Sequence, residues 1–314
     1  MKSASVSNCC YCSNRYGLDF CWVTREFRVC HDVHCKSGDE FGVLPDEDLN
    51  AMPEILIDSL DDPALDIYRS LRKTNANRFR DVFIAEGINV VERLIHSKFQ
   101  VESVLVTSAK RERVQELLPD DVPVYVLEKS LATMLVGFTF HMGILAAGRR
   151  ESPGFIQYLA GQADGGLVLF GDRIIDQQNV GLLIRIASAF GATALVLANG
   201  SADPFSRRAI RVSMGNGFSL PIFQAEDSVD ALTLLKQNGF QTFATVLDST
   251  AMPITECQFP KKSALVFGNE SHGLSEEVQA FCDARLTIDM LNNTDSLNIA
   301  IAAGIFGYAY RTQQ

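Results

Sequence analysis

The sequence predicts an α/β protein built on a parallel sheet that helices cover on both faces. Strand-like apolar runs alternate with helix-like runs along the chain from about residue 81 onward. Two of the strand-like runs, ALVLA at 194–198 and SALVF within 263–267, are continuously apolar, which is typical of strands buried on both faces. Three Gly- and Asn-marked segments, 179–191, 268–274 and 288–304, join such runs and are typical of ligand-binding loops.

The N-terminal half of this pattern predicts a small α/β domain over residues 52–150. Apolar residues recur at helical spacing over 62–72, and helix-like spacing returns at 88–97 after the turn at Gly87. Strands are predicted at 81–86, 101–107, 122–128 and 141–148. His141, inside the last of these strands, is expected to be a packed core histidine rather than a ligand.

Residues 151–166 carry Pro and Gly at both ends and are expected to form a linker with a short helix. A second domain is predicted over 167–314. Its strands are expected at 167–170, 193–198, 219–223, 241–247, 263–267 and 285–288, and its helices at 180–190, 206–214, 229–238, 275–281 and 297–310.

Composition limits the possible function classes. No apolar run reaches the roughly 18 to 20 residues that span a bilayer, and the N-terminus lacks a basic segment followed by an apolar one, so we expect a cytoplasmic protein without membrane contact. The net charge of −10 argues mildly against a nucleic-acid partner. Local basic clusters make a phosphate-binding face more than the total charge does, although each cluster alone could be a solvated helix face. The clusters are Arg69, Arg72, Lys73, Arg78 and Arg80; Lys110, Arg111 and Arg113; Arg149 and Arg150; and Arg207, Arg208 and Arg211.

Residues 1–51 form a cysteine-rich extension that holds six of the eight cysteines. Cys9 and Cys12, followed by Cys30 with His34 or Cys35, are loosely compatible with a zinc site but fit no strict finger spacing. Two other interpretations are a disordered tail and a translation start at Met52, and we expect the folded chain to begin near Met52 without a bound metal.

Nucleotide-binding signatures are missing where they would be expected. The first strand of the second domain, at 167–170, leads into GDRIIDQQN and not into G-x-G-x-x-G, and the chain contains no P-loop sequence. The glycines follow the later strands, at Gly268 and Gly273. A dinucleotide-binding or ordinary Rossmann methyltransferase site is therefore disfavoured.

Three motifs follow one another in the second domain: Asn179-Val-Gly-x-x-x-Arg185, Gly268-Asn-Glu270-x-x-Gly273, and Ile288-x-Met290 with Ser296-Leu-Asn298. In order and spacing they closely resemble the signatures of the SpoU (TrmH-like) RNA ribose 2′-O-methyltransferases. Residues 211–215 resemble the family's segment between the first two motifs, and residues 78–87 resemble its N-terminal RNA-recognition domain. The resemblance covers most of residues 53–312.

The resemblance implies a SPOUT fold, in which a parallel α/β sheet ends in a C-terminal trefoil knot and a small α/β RNA-recognition domain precedes it. The family binds S-adenosylmethionine in the knot loops, and a second subunit completes the site, so a homodimer is expected. The implied cofactor-binding residues are Thr245, Leu247, Phe267, Gly268, Asn269, Gly273, Ile288, Met290, Ser296, Leu297 and Asn298.

The resemblance also assigns catalytic roles to five residues: Asn179, Arg185, Glu270, Ser296 and Asn298. An arginine is a poor base because its pKa lies above about 12, so we expect Arg185 to bind the flanking phosphate or polarise the ribose hydroxyl. Structural alternatives are that Asn179 caps its helix and that Glu270 caps the helix starting near Ser275. The implied RNA ligands (tRNA or rRNA) would contact Arg78, Arg80, Arg207, Arg208, Arg211 and Ser213.

Two positions depart from the family pattern. Gln177 stands where proline commonly precedes the motif asparagine, and Asp289 replaces the proline usual between Ile288 and Met290. Two competing functions are a non-catalytic RNA-binding protein that kept the fold and a small-molecule α/β enzyme. The complete set of five polar residues favours an RNA 2′-O-ribose methyltransferase, because a pure binder would not need it.

Overall fold

The computed structural model describes residues 55–57, 59–71, 81–118, 122–150, 154–161, 165–292 and 294–314, and two short strands nearer the N-terminus. Those strands, Cys12–Ser13 (β1) and Phe20–Cys21 (β2), pair antiparallel in a separate unit that ends at Leu49. The predicted zinc or disordered extension otherwise lies outside the described residues, as do Arg78 and Arg80.

The N-terminal part of the larger unit is a five-stranded sheet with the order β3-β6-β5-β7-β4. Its strands are Ile55–Leu56 (β3), Val82–Glu86 (β4), Val101–Thr107 (β5), Val124–Leu127 (β6) and Ile144–Arg149 (β7). Its helices are Ile88–Ile95 (α1), Arg111–Val114 (α2) and Lys129–Val136 (α3). Strand β7 runs antiparallel to β4 and β5, and the other pairs are parallel. The predicted strand at 101–107 is confirmed to the residue.

Two expectations for this sheet are wrong. His141 is exposed and lies before β7, because the strand begins only after Gly143, whose φ of +71° interrupts extended backbone. It is therefore not a packed core histidine. The helix expected over 62–72 is a short 3-10 helix, Pro63–Tyr68, which ends at Arg69 in an extended conformation.

The second sheet has seven parallel strands in the order β10-β9-β8-β13-β11-β14-β12. They are Gly166–Gly171 (β8), Ala194–Ala198 (β9), Ile222–Ala225 (β10), Gln241–Thr245 (β11), Met252–Pro253 (β12), Lys262–Phe267 (β13) and Ala284–Thr287 (β14). The helices are Phe155–Ala160 (α4), Gln177–Ala189 (α5), Arg207–Val212 (α6), Ser228–Gln237 (α7), Glu276–Phe281 (α8) and Ile299–Arg311 (α9).

Helices cover this sheet on both faces, as the apolar strands predicted. Alternate residues of β8 supply two different cores: Leu167 and Leu169 pack with α5 and α9, whereas Val168 and Phe170 pack with α7 and α8. The strand predicted at 219–223 starts later, at Ile222, because a 3-10 turn, Asn216–Phe218, precedes it. Within the described ranges, every helix is too short or too polar to cross a membrane.

The two sheets meet through an aromatic cluster and charged pairs. The ring of Phe83 on β4 stacks on Phe205 and Phe218, with centroids 5.1 and 5.4 Å apart. Arg150, just after β7, donates to both carboxylate oxygens of Asp203 at 3.1 and 2.7 Å. Burial of these groups fixes the N-terminal sheet against α6 and the turn that follows it.

We predict that Gln177→Pro stabilises the protein by roughly 0.5 kcal/mol in the free energy of unfolding. Gln177 is the first residue of α5, where proline fits because the backbone N–H has no intrahelical acceptor. The preceding residue, Asp176, is already extended, as proline requires (φ −84°, ψ 118°).

Gln178→Pro is the matched control. The Gln178 N–H donates to Asp176 Oδ1 at 2.8 Å, and proline would remove this capping hydrogen bond. This variant should lose about 1 kcal/mol. Urea unfolding of both variants would measure the difference, and equal losses would contradict the prediction.

Candidate functional site

A cavity of about 830 Å³ opens at the carboxyl ends of β11, β13 and β14. This edge of a parallel sheet is where ligands commonly bind, because loops from several strands converge there. All of the cofactor-binding residues implied by the sequence line this cavity: Thr245, Leu247, Phe267, Gly268, Asn269, Gly273, Ile288, Met290, Ser296, Leu297 and Asn298. Asn179 and Glu270 line it as well.

A chain of polar side chains connects the three sequence motifs. The Glu270 carboxylate accepts the Asn179 Nδ2–H at 3.0 Å, and Asn179 Oδ1 accepts the Asn298 Nδ2–H at 3.1 Å. Asn179 is buried, so these bonds fix the orientation of its amide away from competing water. We call Glu270, Asn179 and Asn298 the polar chain.

Glu270 also holds the loop that precedes α5. Its two carboxylate oxygens accept the backbone N–H groups of Ile175 and Asp176, each at 3.2 Å. The structural alternatives for the polar chain are wrong: Asp176 caps α5, and Ser275 caps α8 through its own hydroxyl. Neither Asn179 nor Glu270 therefore serves as the cap that the sequence allowed.

The segment 268–274 is a tight hairpin that forms one wall of the cavity. Asn269 and Gly273 exchange backbone hydrogen bonds of 3.1 and 2.8 Å, and Gly273 has a φ of +66°. The Asn269 side chain donates to Arg173 O at 2.8 Å, so the hairpin is tied to the loop after β8. Gly268 is required because the chain returns directly over its Cα.

The segment after β14 forms the opposite wall and ends at α9. Asn292 has a φ of +56°, a left-handed conformation that asparagine tolerates better than most residues. Asn298 caps α9 by accepting the Ala300 N–H at 2.8 Å, so one amide both starts the helix and binds Asn179. Asp289 is exposed and is not among the described residues that line the cavity.

Sequence reasoning missed three polar residues of the cavity wall, namely Asp248, Gln279 and Asp295. Asp248 accepts from the backbone N–H and hydroxyl of Thr250 and from Arg285. The Thr250 hydrogen bonds, followed by the charge of Arg285, lower the pKa of Asp248. The position of Asp248 just beyond a strand, at the carboxyl edge of the sheet, was the available signal.

Arg185 does not join the polar chain. It lies on α5, is exposed, and is not among the described residues that line the cavity. Ser296 lines the cavity and is exposed. A single chain therefore assembles four of the five residues to which the resemblance assigns catalytic roles.

The basic residues near α6 differ in their surroundings. Arg207 lies with its guanidinium carbon 3.9 Å from the Phe138 ring centroid and its Nε 3.5 Å from Glu86 Oε2. Burial lowers the pKa of Arg207, and the Glu86 charge opposes this.

Arg208 is exposed and donates to Gln178 Oε1 at 2.5 Å, and Arg211 is also exposed. Ser213 is buried and donates to Ile210 O.

Within the described residues, no cluster of three or more His, Cys, Asp or Glu side chains could hold a metal ion. This statement does not extend to Cys9, Cys10, Cys30 and Cys35 of the N-terminal extension, which lie outside those residues. The polar side chains that line the cavity carry amides, carboxylates, hydroxyls and one imidazole.

We predict that Gly268→Ala lowers the free energy of unfolding by about 3 kcal/mol or more. A Cβ at this position would lie 2.3 Å from the carbonyl carbon of Gly273 and the backbone nitrogen of Leu274. Gly161→Ala is the control, because its Cβ would meet only Tyr158 O at 3.4 Å. Chemical denaturation compares the two variants, and equal stability would contradict the close approach.

Comparisons with known proteins agree with the geometry. Residues 166–308 match the model of the SpoU rRNA Methylase family. An uncharacterized tRNA/rRNA methyltransferase of Mycobacterium bovis is 34% identical over 79% of this chain and 88% of its own length. A 23S rRNA (guanosine-2′-O-)-methyltransferase of Acinetobacter baylyi is 29% identical over 71% of this chain and 94% of its own.

Among solved structures, an AdoMet-bound rRNA methyltransferase from Sinorhizobium meliloti has a TM-score of 0.72, with 24% identity over 82% of this chain and 97% of that chain. At that identity the likeness establishes the fold, a parallel-sheet α/β architecture. The Mycobacterium bovis relative is similar over most of both chains, and the family model matches the sheet that carries the cavity. This chain belongs to the SpoU rRNA methylase family.

Proposed function

We propose that this chain transfers a methyl group from S-adenosylmethionine to a ribose 2′-hydroxyl of structured RNA, either tRNA or rRNA. The observation that carries the proposal is the polar chain, which joins residues from all three family motifs at the wall of one cavity. Family membership and the 2′-O specificity named for the Acinetobacter baylyi relative support the same reaction.

The cavity fits the cofactor in both size and chemistry. A volume of about 830 Å³ accommodates a nucleoside with an amino-acid tail, and the wall at 268–273 presents closely approaching backbone that can read the adenine. S-adenosylmethionine supplies an activated methyl group on its sulfonium. The remaining requirement, which protein residues meet, is to align the 2′-oxygen with that methyl and to assist loss of its proton.

Glu270, Asn179 and Asn298 meet the alignment requirement. Each is held by at least two hydrogen bonds, so their polar atoms are positioned before the ribose arrives. Ser296, which neighbours Asn298 through Leu297, adds an exposed hydroxyl on the same wall. These residues orient the ribose, and Arg185 binds the flanking phosphate or polarises the hydroxyl.

Arg185 reaches the cavity from a second copy of the chain in this proposal. Arg185 is exposed and is absent from the described lining of the cavity in its own chain. Helix α9 packs on α5, which carries Arg185, and α9 has an exposed apolar stripe. The stripe consists of Ile301, Ile305 and Tyr308, which share one helical face and are 56%, 37% and 64% exposed. Such a stripe is expected at a homodimer interface.

The finer fold and domain assignments belong to the same proposal. Strand β14 lies between β11 and β12, which are consecutive in the chain, so a later segment passes between earlier ones as a C-terminal trefoil knot requires. We assign residues 52–150 to an RNA-recognition domain, 151–166 to a linker and 167–314 to a SPOUT catalytic domain. A cytoplasmic location suits an RNA substrate.

The reaction is tested by mapping 2′-O-methylated positions in total RNA from a strain that lacks the gene. Wild type should restore a lost methylation, whereas Arg185→Ala should not. Arg185→Ala should still bind S-adenosylmethionine, because in this proposal Arg185 acts on the RNA phosphate or the ribose hydroxyl and not on the cofactor. If no methylation is lost, or if the alanine variant restores it fully, the chain is a non-catalytic RNA-binding protein or acts on another substrate.

The shared site is tested with a heterodimer of Arg185→Ala and Glu270→Ala protomers, purified with two tags. If Arg185 acts across the interface, one of the two sites is intact, and the heterodimer should have about half of the wild-type activity. Either homodimer should be inactive. An inactive heterodimer with both protomers folded would mean that Arg185 acts within its own protomer.

The basic residues of α6 are expected to separate into two roles. Arg207→Ala leaves the buried Glu86 carboxylate without its charged neighbour and should cost about 2 kcal/mol of stability. Arg208→Ala should leave stability unchanged and weaken RNA binding, lowering the slope of log K against log salt by about one. Filter binding across a salt series measures the slope for each variant, and thermal unfolding measures its stability. The prediction would be contradicted if both variants lost stability and neither changed its RNA binding.

A further inference from the structure

The cavity wall is strongly acidic. Three carboxylates line it, those of Asp248, Glu270 and Asp295, and its described lining contains no lysine or arginine. The fourth titratable side chain on this wall is His272, whose Nδ1 lies 3.1 Å from Asn269 Oδ1. An acidic cavity raises the local concentration of cations and repels the phosphates of RNA.

Two of the three carboxylates are already compensated by the protein. Glu270 accepts two backbone N–H groups and the Asn179 amide. Asp248 accepts from Thr250 and from the Arg285 guanidinium at 2.7 Å, so its charge is paired. These two groups hold the walls of the cavity together, and their charges are largely satisfied before a ligand binds.

Asp295 differs from both. It lines the cavity, is exposed, and makes no hydrogen bond or ion pair with any other described residue. It directly precedes Ser296, so the segment that joins the last strand to α9 places an uncompensated negative charge on the cavity wall. Because no described residue compensates its charge, the Asp295 carboxylate can interact with a ligand in the cavity.

We propose that Asp295 makes the cavity prefer the cationic cofactor over its neutral product. S-adenosylmethionine carries a sulfonium charge that S-adenosylhomocysteine lacks, and the two compounds otherwise differ only in the transferred methyl group. A carboxylate that attracts the sulfonium charge therefore stabilises bound S-adenosylmethionine. This attraction is lost when the methyl is transferred, so bound S-adenosylhomocysteine is not stabilised in this way. Release of the product is favoured, and product inhibition is reduced. The inference rests on the proposal that this cavity holds the cofactor.

The magnitude follows from Coulomb's law at a partly hydrated site. Opposite charges about 4 Å apart interact by roughly 1 kcal/mol in bulk water and by more in a cavity, and salt screens the interaction beyond about 10 Å. We expect Asp295→Asn to weaken binding of S-adenosylmethionine about fivefold at low ionic strength. The same substitution should change binding of S-adenosylhomocysteine less than about twofold, since no charge is lost from that complex.

Isothermal titration of the full-length protein with each compound, without RNA, measures both constants. Sinefungin, in which a protonated amine replaces the sulfonium methyl, is a third probe and should weaken in parallel with S-adenosylmethionine. Asp289→Asn is the matched control: it removes the same charge from the same segment at an exposed position outside the cavity lining. It should change none of the three affinities by more than about twofold.

Two results would overturn the proposal. If Asp295→Asn weakened binding of S-adenosylmethionine and S-adenosylhomocysteine equally, Asp295 would bind their shared ammonium group or ribose. If neither aspartate variant changed the affinity for either compound, Asp295 would act on neither. Failure of the proposed function has a different signature, because wild type would then bind none of the three compounds. Asp295→Asn keeps the size of the side chain, and its unfolding curve should match that of wild type.

Discussion

The Glu270 carboxylate is the contact on which the geometry of the site depends. It accepts two backbone N–H groups from the loop before α5 and the side-chain amide of Asn179, so it joins two loops that are more than ninety residues apart in the chain. Hydrogen bonds to a charged acceptor are stronger than bonds between neutral groups, and this carboxylate accepts three of them. Without it, the hydrogen bond from Asn269 to Arg173 O would remain between the 268–274 hairpin and the loop before α5, but Asn179 would lose its partner on the hairpin.

The contact between the two sheets fixes the proposed RNA-recognition domain against the sheet that carries the cavity. Phe83, Phe205 and Phe218 provide the apolar contact, and the Arg150–Asp203 pair fixes the orientation with two parallel hydrogen bonds. Arg207 illustrates the cost of this arrangement, since its guanidinium is partly removed from water beside Glu86. A basic residue that sequence alone assigns to RNA is therefore occupied by the protein itself.

Charge is divided between the cavity and the surface. The cavity wall carries carboxylates, while Arg185, Arg208 and Arg211 are exposed outside it. This division suits a cationic cofactor, which the acidic cavity attracts, and a polyanionic substrate, which the exposed arginines attract and the cavity repels. It also explains how a chain with a net charge of −10 can serve an RNA substrate, because local potential rather than total charge governs the encounter.

The sequence by itself determined the order and type of most elements, because strands buried on both faces are continuously apolar and helices repeat every three to four residues. It also determined which residues would line the cavity, since Gly268 and Asn298 belong to motifs with fixed spacing. It misjudged His141, because a single glycine delayed the strand. It missed Asp248, whose position just beyond a strand was its only signal, and Asp295, which belongs to none of the quoted motif positions. Only the tertiary structure decided that Arg207 packs against Phe138 and Glu86 and that Arg185 lies away from its own cavity. Those outcomes depend on neighbours distant in the chain, which periodicity and spacing do not encode.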